Sequence, residues 1–363
     1  MNKSLPELPP SVEIQKIETR VVLKKLATTH AALAELKGIS STIPNQQILI
    51  DTLSLQEAKD SSAIENIVTT QDEIYRSNYS RQSFSTAAAK EVHRYAEALK
   101  TSYRQVKENG FISMKMILSA QEVIEQNKAG IRKLPGTVLK NDLTGELVYT
   151  PPQRYDTIMA LLDNLEKFIN GSIPYDVDPL VKMAIIHIQF ESIHPFYDGN
   201  GRTGRILNIL YLINEGLLDL PILYISRFII RNRMDYYRLL QDVREQNTWE
   251  AWILYILDAI ETTAGSTVET IKGIKRLMLE YKSKIRKDYP KMYSQDLINN
   301  LFRHPYTRIG WLEKDLGVTR LTARKYLETL MEQGLLKKIK AGRNNYYINP
   351  ALLELLVEGN ATG

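Results

Sequence analysis

Cysteine is absent from the 363 residues, which removes disulfide staples, a thiol nucleophile and Cys-ligated zinc or iron–sulfur sites, and agrees with a reducing compartment. No uninterrupted apolar run of about 18 residues occurs. The opening MNKSLPELPPSVEIQ carries prolines and acids where a signal peptide needs an apolar stretch, so a cytoplasmic protein without a membrane partner is expected. Walker loops, serine nucleophile elbows, dinucleotide fingerprints, internal repeats and low-complexity tracts are missing as well. What is there is ordinary for a folded chain: 44% apolar and 25% charged residues, and a length that suits two or three domains.

Charge is distributed unevenly. Residues 1–270 carry 29 Lys and Arg against 33 Asp and Glu, a net of −4, whereas residues 271–350 carry 18 against 7, a net of +11. A basic C-terminal module on a mildly acidic body points to a polyanion partner for that module.

Apolar residues Val22, Leu26, Leu33 and Leu36 have helical spacing after a Pro-rich, extended arm. The same spacing predicts helices over 46–58, 71–78, 87–108, 113–127, 155–169, 178–193, 203–217, 234–243 and 248–262, the last running on towards Asp288. Hairpins are predicted at 137–152 and 335–349, where β-branched and aromatic runs flank turn residues. Pro290 breaks the helical pattern, and three short helical stretches and the second hairpin follow it, the order of a winged helix-turn-helix. Thr319 caps its expected recognition helix, with Leu321, Leu327 and Leu330 inward and Arg320, Arg324 and Lys325 outward; Lys337, Lys338, Lys340 and Arg343 line the wing. DNA is the partner this suggests, with protein interaction as the other use of such domains.

One segment concentrates chemistry: His194-Pro195-Phe196-Tyr197-Asp198-Gly199-Asn200-Gly201-Arg202-Thr203-Gly204-Arg205. Gly199 and Gly201 allow a sharp turn with exposed N–H groups that runs into a helix N-terminus, a ready anion cradle, and Asn200 adds a side-chain donor. Arg202 and Arg205 share a helix face and offer guanidinium forks suited to phosphate, yet two cations oppose the dipole at that end and call for an anion. Asp198 is a natural oxygen ligand for Mg²⁺, and His194 is suited to act as general base. An isolated G-x-G is usually a capping turn; this combination points to phosphoryl or nucleotidyl transfer from a metal-bound nucleotide. His30, His93, His187 and His304 read as structural, and Trp249 and Trp252 as packing.

The segment resembles the Fic family signature HPFxDGNGRxxR at every specified position. The resemblance implies a mainly α-helical fold, a Fic-type core with a β-hairpin flap at 137–152, and transfer of AMP from ATP to a Ser, Thr or Tyr hydroxyl of a target protein. It implies His194 as base, Asp198 as Mg²⁺ ligand, and Gly199, Asn200 and Gly201 as the phosphate cradle continuing through Arg202, Thr203, Gly204 and Arg205. Arg231 to Tyr237 resembles the stretch where a tyrosine lies by the adenine, and Tyr237 is taken for that role. Ser61, Glu65 and Asn66 fit the family's inhibitory pattern [S/T]xxxE[G/N], in which the carboxylate would occupy the Arg205 fork that the γ-phosphate needs.

The expected organisation is a regulatory region at 1–110, a catalytic core at 111–285 and a winged-helix domain at 286–363, together an autoinhibited protein adenylyltransferase. Other Fic chemistries stay open, namely removal of AMP or transfer of UMP, phosphocholine or phosphate. So do a nucleotide-responsive transcription regulator and a homodimer.

Overall fold

Helical spacing backed by hydroxyl or carboxylate caps governs most of the chain. The computed structural model describes residues 5–77, 86–140, 145–341 and 344–358. Arg343 and positions 141–144 of the first hairpin lie outside them. The helices are α1 (Ile14–Ile17), α2 (Arg20–Ser40), α3 (Gln47–Ile64), α4 (Gln71–Ser77), α5 (Ala87–Asn109), α6 (Met114–Glu125), α7 (Tyr155–Ile169), α8 (Pro179–Ile193), α9 (Asn200–Asn214), α10 (Ser226–Arg231), α11 (Arg233–Gln246), α12 (Trp249–Asp288), α13 (Gln295–Arg303), α14 (Ile309–Leu316), α15 (Arg320–Glu332) and α16 (Pro350–Glu358). Thr19, Thr86, Ser113, Asp178, Ser294 and Thr319 each accept a backbone N–H at the start of a helix, so the caps that begin these elements are written in the sequence.

The strands β1 (Leu139–Lys140) and β2 (Leu147–Tyr149) pair antiparallel. A second sheet holds β3 (Tyr306–Thr307), β4 (Lys337–Ala341) and β5 (Asn344–Ile348) in the order β3-β5-β4, all antiparallel. The mainly helical expectation is met.

Helices α8 and α9 lie at the centre. Almost every side chain of both is buried, so apolar periodicity is weak there and helix identity comes from length and from the Asp178 cap with Pro179 at the first position. Buried His187 accepts from Asn208 at Nδ1 (3.0 Å), meets the Tyr236 hydroxyl at Nε2 (2.8 Å) and stacks on Trp252 at 5.8 Å. Burial and the Arg205 charge push it down to about 3, so it is a neutral core histidine. The N-terminal arm is held by a reciprocal pair between the Leu8 backbone and the Asn164 amide (2.8 and 3.0 Å).

Several boundaries differ from the sequence expectation. Helix α3 runs to Ile64 rather than 58, because Ser61 and Ser62, polar by type, are fully buried. Helix α9 begins at Asn200 rather than 203, which puts Gly201 and Arg202 inside its first turn. Leu321 points outward, 77% exposed, and Ala323 takes the inward place beside Leu327 and Leu330. Helices α1, α10 and α16 and the two-residue β3 carry too little pattern of their own to be anticipated.

The C-terminal elements dock on the first half of the chain. Asp51 of α3 accepts from Lys100 of α5 (2.6 Å) and from Arg303 of α13 (3.1 Å), Tyr306 donates its hydroxyl to Asp72, and His304 meets Tyr75 edge-on at 5.0 Å. Burial pushes the Asp51 carboxyl up, but Lys100 and the surrounding donors outweigh it and leave the group below its ordinary 3.8. Its contribution to stability is therefore present above that value and is lost as pH falls through the lower, folded pKa. Asp51→Asn is expected to cost roughly 1.5–3 kcal/mol at neutral pH, and a denaturant titration repeated in strong acid should find the two chains converging. A gap of equal size at both pH values would contradict this assignment.

Candidate active site

His194 caps α8 in the left-handed conformation (φ 49°, ψ 61°), with its N–H donating to the Phe190 carbonyl (3.0 Å). The chain then turns back sharply. The Asn200 amide closes this turn from both sides, accepting from Phe196 N–H (2.8 Å) and donating to Phe196 O (2.9 Å). Its side chain thus holds the loop, and its backbone N–H is what it offers outward. The Asp198 carboxylate accepts from Gly199 N–H (2.7 Å), and Gly199 precedes α9 at φ 80°, a backbone state that favours glycine.

The first intrahelical bond of α9 runs from Thr203 N–H to Gly199 O (2.9 Å), so the N–H groups of Asn200, Gly201 and Arg202 have no partner within the helix. Glu65 lies over this end. A Cβ built on Gly201 would collide with Glu65 Oε1, and the same oxygen accepts from Arg205 Nη2 at 2.9 Å. One segment takes the Nε and Nη2 donors of Arg205: Nε donates to Ser61 Oγ (2.8 Å) and Nη2 also to Ser61 O (3.0 Å). Asn66 adopts φ 62° and ends α3, and its amide oxygen accepts from Arg233 (3.0 Å). Ser61 and Glu65 are therefore brought together on Arg205, the arginine expected from the motif, whereas Asn66 meets Arg233 instead. Burial pushes the Glu65 carboxyl up, but the Arg205 charge and hydrogen bond outweigh it and hold the group below the usual glutamate value.

Arg202 has partners of its own, Glu91 (3.1 Å) and Glu125 (2.7 Å). Both arginines at this helix start thus face carboxylates of the same chain. Thr203 and Gly204 are buried in α9, and Gly204 lies against Glu191, where a Cβ would sit 2.6 Å from the carboxylate. Burial pushes Glu191 up to about 7.

The His194 imidazole is pushed down to about 4, first by burial, then by the Arg132 and Arg244 charges, with Glu65 opposing. It is neutral at neutral pH and able to accept a proton. Tyr237 stays 43% exposed while its neighbour Tyr236 is 2% exposed, and the Arg233 guanidinium sits 5.7 Å from the Tyr237 ring centre. Burial and then Glu65 raise the Tyr237 hydroxyl. The Glu65 charge thus acts on His194 and Tyr237 as well as on Arg205, which it touches.

Among the described residues no group of three or more His, Asp or Glu suits a metal. Asp198 is exposed at the loop, with the Glu125 carboxylate 2.6 Å from the place of a Cβ on Gly199. Such hard oxygen donors fit a Mg²⁺ that takes its remaining ligands from phosphate and water. The sequence reading missed Arg132, Arg244, Glu91 and Glu125, whose partners lie far along the chain and form no motif.

The chain is similar to known proteins over much of its length. A model described as Fic/DOC family N-terminal matches residues 23–104, one of the Fic/DOC family matches 65–212, and one of the SoFic-like protein adenylyltransferase C-terminal domain matches 277–352. A probable protein adenylyltransferase of Aquifex aeolicus is 35% identical over 97 residues, 27% of either chain. The protein adenylyltransferase Fic of Aedes aegypti is 28% identical over 158 residues, 44% of this chain and 30% of that one. The matched stretch is less than a third of either relative's length. A Fic family protein of Desulfovibrio desulfuricans has the same fold, with TM-score 0.58 and 21% identity over 94% of this chain and 98% of its own. Since the first two models together run from 23 to 212 and the third takes up the C-terminal part, the chain belongs to the Fic/DOC family.

Proposed function

We propose that the protein is a protein adenylyltransferase that moves AMP from ATP to a hydroxyl side chain of a target protein, and that Glu65 holds this activity in check. One observation carries the reading: a neutral imidazole at 194, the open N–H groups of α9 and the Arg205 fork converge, and a carboxylate of the same chain occupies the anion position.

The triphosphate would lie on the N–H groups of Asn200, Gly201 and Arg202, where the helix dipole favours negative charge. Asp198 would hold Mg²⁺, which neutralises phosphate charge when bound. An extended target segment would add to the flap at β1 and β2 and present its hydroxyl, whose proton passes to His194 as its oxygen bonds to the α-phosphorus and pyrophosphate leaves. Tyr237 would cover the adenine. With Glu65 on Arg205, the fork is taken and a second negative charge stands where the γ-phosphate would rest, so ATP lies out of line for transfer.

Glu65→Gly is expected to raise label transfer from α-labelled ATP at least about tenfold, in line with one lost charged hydrogen bond, and Glu65→Gly with His194→Ala to abolish it. Equal labelling by the wild type and Glu65→Gly would reject the brake. The pH profile of the Glu65→Gly chain should fall in acid with a midpoint at or below about 4, since removing Glu65 removes a group that raises the imidazole. A midpoint near the ordinary 6.5 would contradict His194 as the base in this environment.

For the C-terminal segment we propose a winged helix that binds duplex DNA through phosphate contacts. Arg320, Arg324, Lys325, Lys337, Lys338 and Lys340 are exposed around α15 and β4, which favours this reading. Arg324 shares its charge with Glu328 (2.9 Å). A gel shift should detect binding that weakens steeply with salt; no binding to any duplex at low salt would leave a protein partner as the explanation of this surface.

A further inference from the structure

The last turn of a helix leaves its carbonyls without intrahelical donors. In α8, which ends on His194, these carbonyls are taken by a specific set of side chains. Fully buried Arg132 donates from Nε to His194 O (2.8 Å) and from Nη2 to Ile193 O (3.3 Å) and to Pro152 O at the exit of the first hairpin. The Arg132 backbone N–H donates to Pro195 O (2.9 Å). Ser192 O receives the Tyr149 hydroxyl of β2 (3.1 Å). The Arg244 guanidinium of α11 lies 4.1 Å from the Tyr149 ring centre and donates from Nε to Ser192 Oγ (2.9 Å), while Gln241, one turn earlier, donates to Val148 O of β2 (3.1 Å).

We propose that Arg132, acting through Pro152, and Arg244, acting through Tyr149, are positioning residues that lock the flap hairpin to the last turn of α8, so that β2 and the His194 imidazole keep one fixed relation. The inference rests on His194 being the base and the hairpin being the docking strand of the proposed reaction. In-line transfer needs the hydroxyl within about 3–3.5 Å of phosphorus and within reach of the base, and a 1 Å error can cost about 100-fold. A flap tied to the very carbonyls that orient the imidazole removes that freedom.

Energetics favours a role beyond holding the fold. Neither arginine has a carboxylate at ion-pair distance among the described residues, although the Glu191 charge acts on Arg244, and placing one buried and one half-buried cation there is an expensive way to close a helix end that a glycine would close. Both charges also act on the imidazole. The groups that face it are Arg132 from the segment before β1, Arg244 from α11, Glu65 from the end of α3 and the Glu191 carbonyl of α8; burial and the two arginines keep it neutral, and the last two oppose them.

The test uses the full chain with three substitutions, Arg244→Gln, Arg132→Lys and Tyr149→Phe. In the Glu65→Gly background each should lower kcat at least about tenfold while KM for ATP stays within about twofold, as for a group that matters only at the transition state. Proton-detected titration of His194, assigned by comparison with His194→Gln, should show the midpoint rise in Arg244→Gln and stay in place in Arg132→Lys, which keeps the charge and loses the fork. Tyr149→Phe removes a single hydroxyl from a half-buried ring and serves if the arginine variants do not fold. A folded Arg244→Gln chain with an unmoved imidazole midpoint, or a Tyr149→Phe chain with full kcat, overturns the proposal. If the Glu65→Gly parent transfers nothing, the functional reading fails instead, and the titration still decides the electrostatic tie.

Discussion

One ion pair organises the region around the α9 N-terminus. Arg205 is buried at a helix end that already carries partial positive charge, and it stays there because Ser61 and Glu65 answer its donors. Much else follows from that requirement. Helix α3 must reach Ile64, Asn66 must turn left-handed to release the chain, and Gly201 must lack a side chain so that the Glu65 carboxylate can approach the helix end. The same geometry is an anion site with its occupant already supplied. In the reaction proposed above, a phosphate reaching this helix end would compete with the Glu65 carboxylate for the same donors.

The remaining architecture packs behind that site. Helices α8 and α9 are buried nearly all round, His187 and Trp252 stack behind them, and the turn between them is closed by the Asn200 amide. Burial and the two arginine charges keep His194 neutral, and the backbone on either side of it is held by Arg132. At the far end of α3, Asp51 ties the same helix to α5 and α13, so the segment that carries Glu65 is held at both ends by charge.

The turn from His194 to Arg205 was legible in the sequence because its chemistry is local: the left-handed cap, the glycine and the loop-closing amide lie within a few residues of one another. Ser61 and Glu65 lie about 140 residues from Arg205, and only resemblance to a family pattern tied them to it. Arg132 and Arg244 left no trace in the sequence, since their partners are mainly backbone carbonyls and an aromatic face, which no residue pattern records. The helix content was readable from spacing, but polar residues buried by function misled it. Ser61 and Ser62 look like solvated positions and are fully buried, Ser61 against an arginine, and Leu321 looks like core and faces outward.

In the proposed reaction Glu65 and the terminal phosphate of ATP share the Arg205 fork. Calorimetry of ATP and of AMP on the wild type and on Glu65→Gln tests this directly, since AMP lacks the groups that would reach the fork. A charged hydrogen bond is worth about 1.5–3 kcal/mol, so ATP affinity should rise roughly 10- to 100-fold in Glu65→Gln while AMP affinity barely changes. Equal gains for both nucleotides, or none for ATP, would show that Glu65 and the terminal phosphate do not share the fork.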